Sequence, residues 1–309
     1  MHWANWISNN YSYSSLQPRI YTSFKINADH TVYASATKMS QFLHSINSNM
    51  MGFQSDFWLP STDKIHPEES VMGSVGYSGH AGRHFDFNIE AYYKDLQNVT
   101  MYNPGKSIFD NVTTWDEKLI QGHGWSYGTE IALQERIGPF FFNAAYTLSW
   151  SNRQFAEING GKAFPYRYDR RHNIKTSVAF KPNAKFAATA NWTYMSGEAV
   201  TIPDQLYSNL DNNLGINIGG PYAASPSFAF TYTNWNAYRL PAIHRLDIGF
   251  DFIKQKKHAE RTWSLGLFNA YGRSNITYVN VTTNSSGGFE LQGQTLFKFI
   301  PYFSYRIKF

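Results

Sequence analysis

The sequence predicts an all-β protein, an antiparallel up-and-down transmembrane β-barrel with about 11 strands in this chain. Three observations carry that expectation. Apolar and polar residues alternate with a period of two over long segments, short and long connections alternate along the chain, and aromatic residues are unusually abundant. The 24 Phe, 21 Tyr and 9 Trp make up 17% of the 309 residues, while charged residues make up only 16%; soluble domains carry about 25%.

The alternation is clearest in "FFFNAAYTLSWSN", where Phe140, Phe142, Ala144, Tyr146, Leu148 and Trp150 share a face opposite Asn143, Thr147, Ser149 and Ser151. "KFAATANWTYMSG", "HFDFNIEAYYKD" and "HRLDIGFDF" repeat it. Strands are expected to begin near Leu16, Thr31, Ser70, His84, Gly124, Pro139, Asp169, Lys185, Ala242, Arg261 and Glu290. Between them, "NADH", "SGHAGR", "RIGP", "KPNAK" and "KQKKHAE" are tight turns, whereas the connections around 44 to 68, 103 to 123, 153 to 168, 198 to 241 and 282 to 289 are longer. Tight turns at one end and extended loops at the other are the layout of an outer-membrane barrel.

Large aromatics fall near strand ends and small or aliphatic residues at mid-height, the order expected of an apolar band between two aromatic girdles. The polar face then lines a hydrated lumen. Asp86, Glu90, Glu130, Arg171, Lys175, Arg245 and Asp247 are the lumen-lining candidates. If the tight turns are periplasmic, the last strand descends toward them, with Phe303, Tyr305, Ile307 and Phe309 on its lipid face. An odd strand count runs the first and last strands in the same direction, so the chain reads as part of a larger barrel: residues 1–15 a remnant of an extracellular loop, 16–309 barrel.

Other classes fit poorly. No stretch approaches the roughly 18 consecutive apolar residues of a membrane helix. Cysteine is absent, which removes disulfides and thiolate chemistry. The net charge of +5 is dispersed apart from "KQKK" at Lys254 to Lys257, so nucleic acid is not an expected partner. His2, His44, His66, His123, His172 and His244 show no metal-ligand spacing, and neither a metal nor a cofactor is expected. "MHWANWISNN" lacks the basic and apolar regions of a secretory signal.

Several segments resemble the distal barrel of TonB-dependent receptors, especially those of Bacteroidetes: "YGTEIALQERIGPFFFNAAYTLSWSNRQF", "FPYRYDRRHNIKTSVAFKP", "LPAIHRLDIGFDF", "LGLFNAYGRSNITYV" and "FIPYFSYRIKF". The most specific piece is Tyr168-Asp169-Arg170-Arg171-His172. The resemblance implies a 22-stranded barrel of which this chain supplies half. It also implies uptake of a scarce nutrient (siderophore, cobalamin, glycan or peptide) through a plug domain, absent here, that is moved by the TonB complex. The strand bearing Phe303, Tyr305, Ile307 and Phe309 resembles the signal read by the outer-membrane assembly machinery. A lipid bilayer is the remaining partner.

Ligand contact is expected from the extracellular-loop aromatics Trp58, Trp115, Trp125, Tyr207, Tyr222 and Trp235 and from Arg167, with loop 198 to 241 the first choice. Asp169 to His172 admits two readings, an anion site built on guanidinium forks or a structural cluster where a strand leaves the membrane. No paired carboxylates or Ser/His motif mark a catalytic site, and an enzyme is not expected. A passive porin, a barrel enzyme or a soluble β-sandwich are the alternatives.

Overall fold

A computed structural model describes residues 2–7, 11–47, 56–82, 84–104, 114–202, 205–208, 228–283 and 289–309. Eleven long strands form one continuous antiparallel path. They are β1 (Arg19–Lys25), β2 (His30–Gln41), β3 (Glu68–Ala81), β4 (Phe85–Tyr102), β5 (Leu119–Ile137), β6 (Phe140–Gln154), β7 (His172–Asn183), β8 (Phe186–Met195), β9 (Ile243–Lys256), β10 (Ala259–Phe268) and β11 (Ile300–Lys308). Each pairs with its sequence neighbours. Among the described residues β1 and β11 are not bonded to each other, so both ends of the path carry a free edge.

All the tight turns lie at one end of this wall, and the β5–β6 turn shows why they can be short. Gly138 takes φ 54°, a left-handed conformation open to glycine at no steric cost, and Pro139 follows it. At the opposite end the connections build structure of their own. Leu43–Asn47 pairs with Asp56–Pro60, Ala199–Val200 with Tyr238–Arg239, Gln205–Ser208 with Phe228–Thr231, and Tyr278–Thr283 with Phe289–Gln294. The N-terminal hairpin His2–Ile7 with Ser12–Gln17 joins this end too, since the Tyr13 hydroxyl donates to the Thr62 carbonyl at 2.6 Å.

Register places the apolar residues on one surface. Val32, Tyr77, Ile89, Ile131, Tyr146, Ile174 and Tyr194 stand side by side across seven strands. Phe250, Leu265 and Phe303 continue the same face on β9 to β11. On this surface Phe85, Phe140, Phe180, Phe186, Phe252 and Trp263 gather toward the tight turns, and Tyr127, Trp150, Tyr146 and Tyr194 toward the long connections. Ten residue steps separate Phe140 from Trp150, about 33 Å of strand, which a tilt of about 40° projects onto about 25 Å. That is the height of a lipid-facing band.

The other face is polar. Glu90 stands beside Glu130 and Thr147; Asn143, Ser177, Asn191 and Asp247 form a second row. Asp86, Lys175 and Arg245 share this polar face.

A single-layer wall has little interior. The buried apolar clusters lie where the long connections fold back: Leu96, Val99, Ile120, Phe155, Ile158 and Phe164 in one, Ile46, Ile65 and Leu119 in another. A bulge at Asn98, whose φ is 57°, marks where β4 leaves the flat wall, and the Asn98 amide donates to the Pro67 carbonyl at 3.0 Å.

Two sequence expectations need correction. The final wall strand begins at Ile300 rather than near Glu290, because Phe289–Gln294 pairs with Tyr278–Thr283 in a separate hairpin. Trp125 is not a loop residue: β5 begins at Leu119, so Trp125 lies within the strand opposite Asp95 and Asn152.

Candidate functional site

The long-connection end is held together around Asp169. Its side chain is 2% exposed, and its Oδ1 accepts the Ser151 backbone N–H at 2.7 Å, a donor left free where β6 outruns β7. Its Oδ2 accepts from Arg171 at 3.3 Å and from Arg239, which also donates to the Asp169 carbonyl. Glu198 takes a second pair of guanidiniums, from Arg170 and, at 3.4 Å, from Arg167. Arg170 donates further to the Ser196 carbonyl at 3.1 Å. Three connections, 155 to 171, 196 to 202 and 235 to 242, are thereby tied together. The Asp169 to His172 motif is thus engaged within the protein, with Arg171 also lying 4.6 Å over the Trp150 ring at the rim of the apolar face.

Beside this knot is a cavity of about 60 Å³ whose lining includes Arg153, Tyr166, Arg167, Tyr168, Phe155 and Trp235. The Arg153 guanidinium lies 4.1 Å over the Tyr166 ring, and that of Arg167 5.4 Å over Tyr168. The Trp235 backbone N–H donates to Asn159 Oδ1 at 2.9 Å, and the Asn236 amide donates to the Pro165 carbonyl at 3.0 Å. The cavity is small and partly open. It is a crevice on which part of a ligand can rest, not a pocket that encloses one.

The expected ligand residues are therefore dispersed. Arg167 and Trp235 come together at the crevice. Trp58 is 63% exposed on the Asp56–Pro60 strand, and Trp115 is exposed in the short helical turn Trp115–Lys118. Trp125 lies on the apolar parity of β5 with its ring 5.4 Å from that of His123. Tyr207 lies on the Gln205–Ser208 strand, and Tyr222 lies outside the described residues, as does much of loop 198 to 241. Sequence reasoning missed Arg153, Tyr166, Glu198 and Arg239. Arg239 meets Asp169 across 70 positions, a pairing with no local signature. Among the described residues no group of three or more His, Asp or Glu side chains is arranged to hold a metal.

An antiparallel wall with one apolar face, two aromatic girdles, tight turns at one end and elaborated connections at the other defines a transmembrane β-barrel. The chain belongs to the TonB dependent receptor-like β-barrel family, whose model matches residues 4–271. No curated protein matches it in sequence.

Solved structures share its fold. The ferric yersiniabactin uptake receptor FyuA of Yersinia pestis aligns with 97% of this chain and 38% of its own, at TM-score 0.57 and 12% identity. The FrpB iron transporter of Neisseria meningitidis aligns with 96% of this chain and 40% of its own, at 0.55 and 11%. The outer-membrane ferripyoverdine receptor of Pseudomonas aeruginosa aligns with 97% and 34%, at 0.56 and 10%. This chain therefore spans well under half the length of each.

Proposed function

We propose that the chain forms part of the wall and outer mouth of a TonB-dependent outer-membrane receptor that takes up a scarce small nutrient. The observation that carries this reading is the segregation of all tight turns to one end and all elaborated connections to the other of a wall with one apolar face. The free edges of β1 and β11 would leave unpaired N–H and C=O groups in hydrocarbon, costing several kcal/mol per group; further strands pair with them in the complete barrel. The TonB complex acts through a part of the receptor outside these strands. Asp86, Glu90, Glu130, Lys175, Arg245 and Asp247 line its hydrated interior, and residues 1–15 belong to its extracellular side.

Ligand contact is assigned to the mouth: Arg167 and Trp235 at the crevice, Trp58 and Trp115 on neighbouring connections, and Tyr207 and Tyr222 in loop 198 to 241. Aromatic rings stack on flat ligand surfaces and guanidiniums bind carboxylate or phosphate groups, which suits siderophore, cobalamin, glycan and peptide alike. The ferric ligands named for the structural neighbours favour a siderophore as the first probe.

The test replaces residues 205 to 231 with a short linker and retains the Ala199–Arg239 and Thr201–Asn236 connections. Binding of ferric siderophores, cobalamin and oligosaccharides is then compared with the parent. Lost binding with unchanged membrane assembly is expected. Recovery of the parent protein in the soluble fraction after carbonate washing would overturn the membrane reading itself.

A further inference from the structure

On the apolar face near the tight turns, Lys254 of β9 stands directly opposite Arg261 of β10. One register step toward mid-height on the same face are Phe252 and Trp263, both about half exposed. The Trp263 ring lies 4.4 Å from Tyr305 on β11. The arrangement runs from aromatic girdle to paired cations in the direction of the turn, and Lys256 continues it two residues on.

Like charges directly opposite each other across a strand pair are destabilising, so the pair needs an anion. Among the described residues neither Lys254 nor Arg261 makes an ion pair. The carboxylates closest in sequence stand on the opposite parity: Asp251 accepts from the Ser264 hydroxyl at 2.6 Å, and Glu260 accepts from the Gln255 amide. The other end of the same face differs. There Lys38 meets Glu69 at 3.0 Å and His123 meets Asp95 at 2.6 Å. Charges on the apolar face are thus partnered at the long-connection end, whereas at the tight-turn end Lys254 and Arg261 form an adjacent cationic pair, with Glu135 of the same face four strands away on β5.

We propose that Lys254 and Arg261, with Lys256 beside them, bind the phosphate of an anionic phospholipid in the leaflet at the tight-turn end. Trp and Tyr rings settle at headgroup level, and long basic side chains extend past them to reach phosphate. Two cations on adjacent strands present a fork to one phosphate, which relieves their mutual repulsion. A lipid is the occupant because the site is continuous with the apolar band. The assignment rests on that band meeting acyl chains, as proposed above.

The test uses native mass spectrometry of the detergent-solubilised protein with phosphatidylglycerol and, separately, phosphatidylcholine. Wild type is expected to retain phosphatidylglycerol preferentially. The K254Q/R261Q double variant should lose roughly thirtyfold in apparent affinity, about fivefold per charge. Lys38→Gln, at the other end of the face, should change nothing. Equal retention by wild type and the double variant would overturn the proposal, and so would displacement of the lipid by excess inorganic phosphate, which would make this a free-anion site. Heat-modifiable gel mobility reports assembly; if the double variant does not assemble, the single variants carry the same comparison. Carbonate-washed membranes separate the two readings. Protein absent from them removes the membrane reading, whereas protein present there without lipid preference removes only this site.

Discussion

Tyr33 lies across Gly76. The two residues face each other between β2 and β3, and a Cβ at Gly76 would sit 2.1 Å from the tyrosine ring. That vacancy lets the Tyr33 hydroxyl cross β3 and reach Glu90 at 2.9 Å and Asn88 at 3.1 Å on β4. A glycine, weak in strands for lack of a packing side chain, is here what allows an aromatic to link three strands of the polar face. Gly76→Val should push Tyr33 off its partners and lower stability by about 1–3 kcal/mol, the usual cost of forcing volume into an occupied space. Tyr33→Phe should cost less, about 1 kcal/mol, because the ring stays in place. Urea midpoints of the heat-modifiable species check both values. A Gly76→Val protein as stable as the parent would show that the ring is held by something other than this vacancy.

Asp169 and Arg239 supply the second prediction. Asp169 is almost fully buried and accepts from three separate segments, whereas the Arg239 side chain keeps 35% exposure. Removing the carboxylate leaves two guanidiniums and a strand N–H without it, so Asp169→Ala should cost about 3 kcal/mol. Arg239→Met removes a partly hydrated partner and should cost less, about 1 kcal/mol. Both changes should speed proteolysis within 196 to 242 before the wall itself unfolds. Simultaneous loss of the wall and this region would mean that the knot is no separate unit.

The wall was readable because a strand lined by lipid on one face and water on the other must alternate residue by residue. Phe140 to Trp150 state that requirement without help from any distant residue. Alternation identifies a strand but not its partner. "FELQGQ" alternates as well as a wall strand does, and only pairing with Tyr278–Thr283 shows that it belongs to a hairpin at the long-connection end. The same limit governs the site. Asp169 and its neighbouring arginines were conspicuous, but Glu198 and Arg239 approach them through tertiary folding, so a local reading left the anion-site and structural alternatives open. Trp125 was misplaced for a third reason: β5 is 19 residues long, far beyond what a bilayer crossing requires, and nothing in its composition marks where lipid ends.

His44 makes the long-connection end sensitive to acid. The side chain is 1% exposed, with Nε2 3.0 Å from the Ser61 hydroxyl and Nδ1 3.1 Å from that of Thr100, so it bridges its own hairpin to β4. Burial lowers its pKa from 6.5 to about 4. When the hairpin detaches, the imidazole regains its ordinary affinity for protons, so the detached form binds more protons between those two values. The stabilisation is therefore complete above about pH 6.5, declines as pH falls toward 4, and levels off below. The difference corresponds to about 3 kcal/mol. Proteolytic cleavage between residues 43 and 60, followed against pH, should rise through that window, and His44→Asn should flatten the dependence. An unchanged slope in the variant would assign it to other groups.

Phe309→Ala is expected to separate assembly from stability. It is 97% exposed at the tight-turn end and follows β11, whose Phe303, Tyr305 and Ile307 share the apolar face and whose Tyr305 packs on Trp263. Because Phe309 buries almost nothing, Phe309→Ala should shift the urea midpoint of the folded protein by less than about 0.5 kcal/mol. If the row Phe303, Tyr305, Ile307 and Phe309 is what the assembly machinery binds, the same change should reduce the membrane-inserted fraction severalfold in cells. Tyr305→Ala should reduce both quantities, since it also removes an aromatic contact of about 1 kcal/mol. Pulse-labelled insertion measured beside the urea midpoint separates the two effects. Normal insertion of the Phe309→Ala protein would confine any recognition to the strand itself.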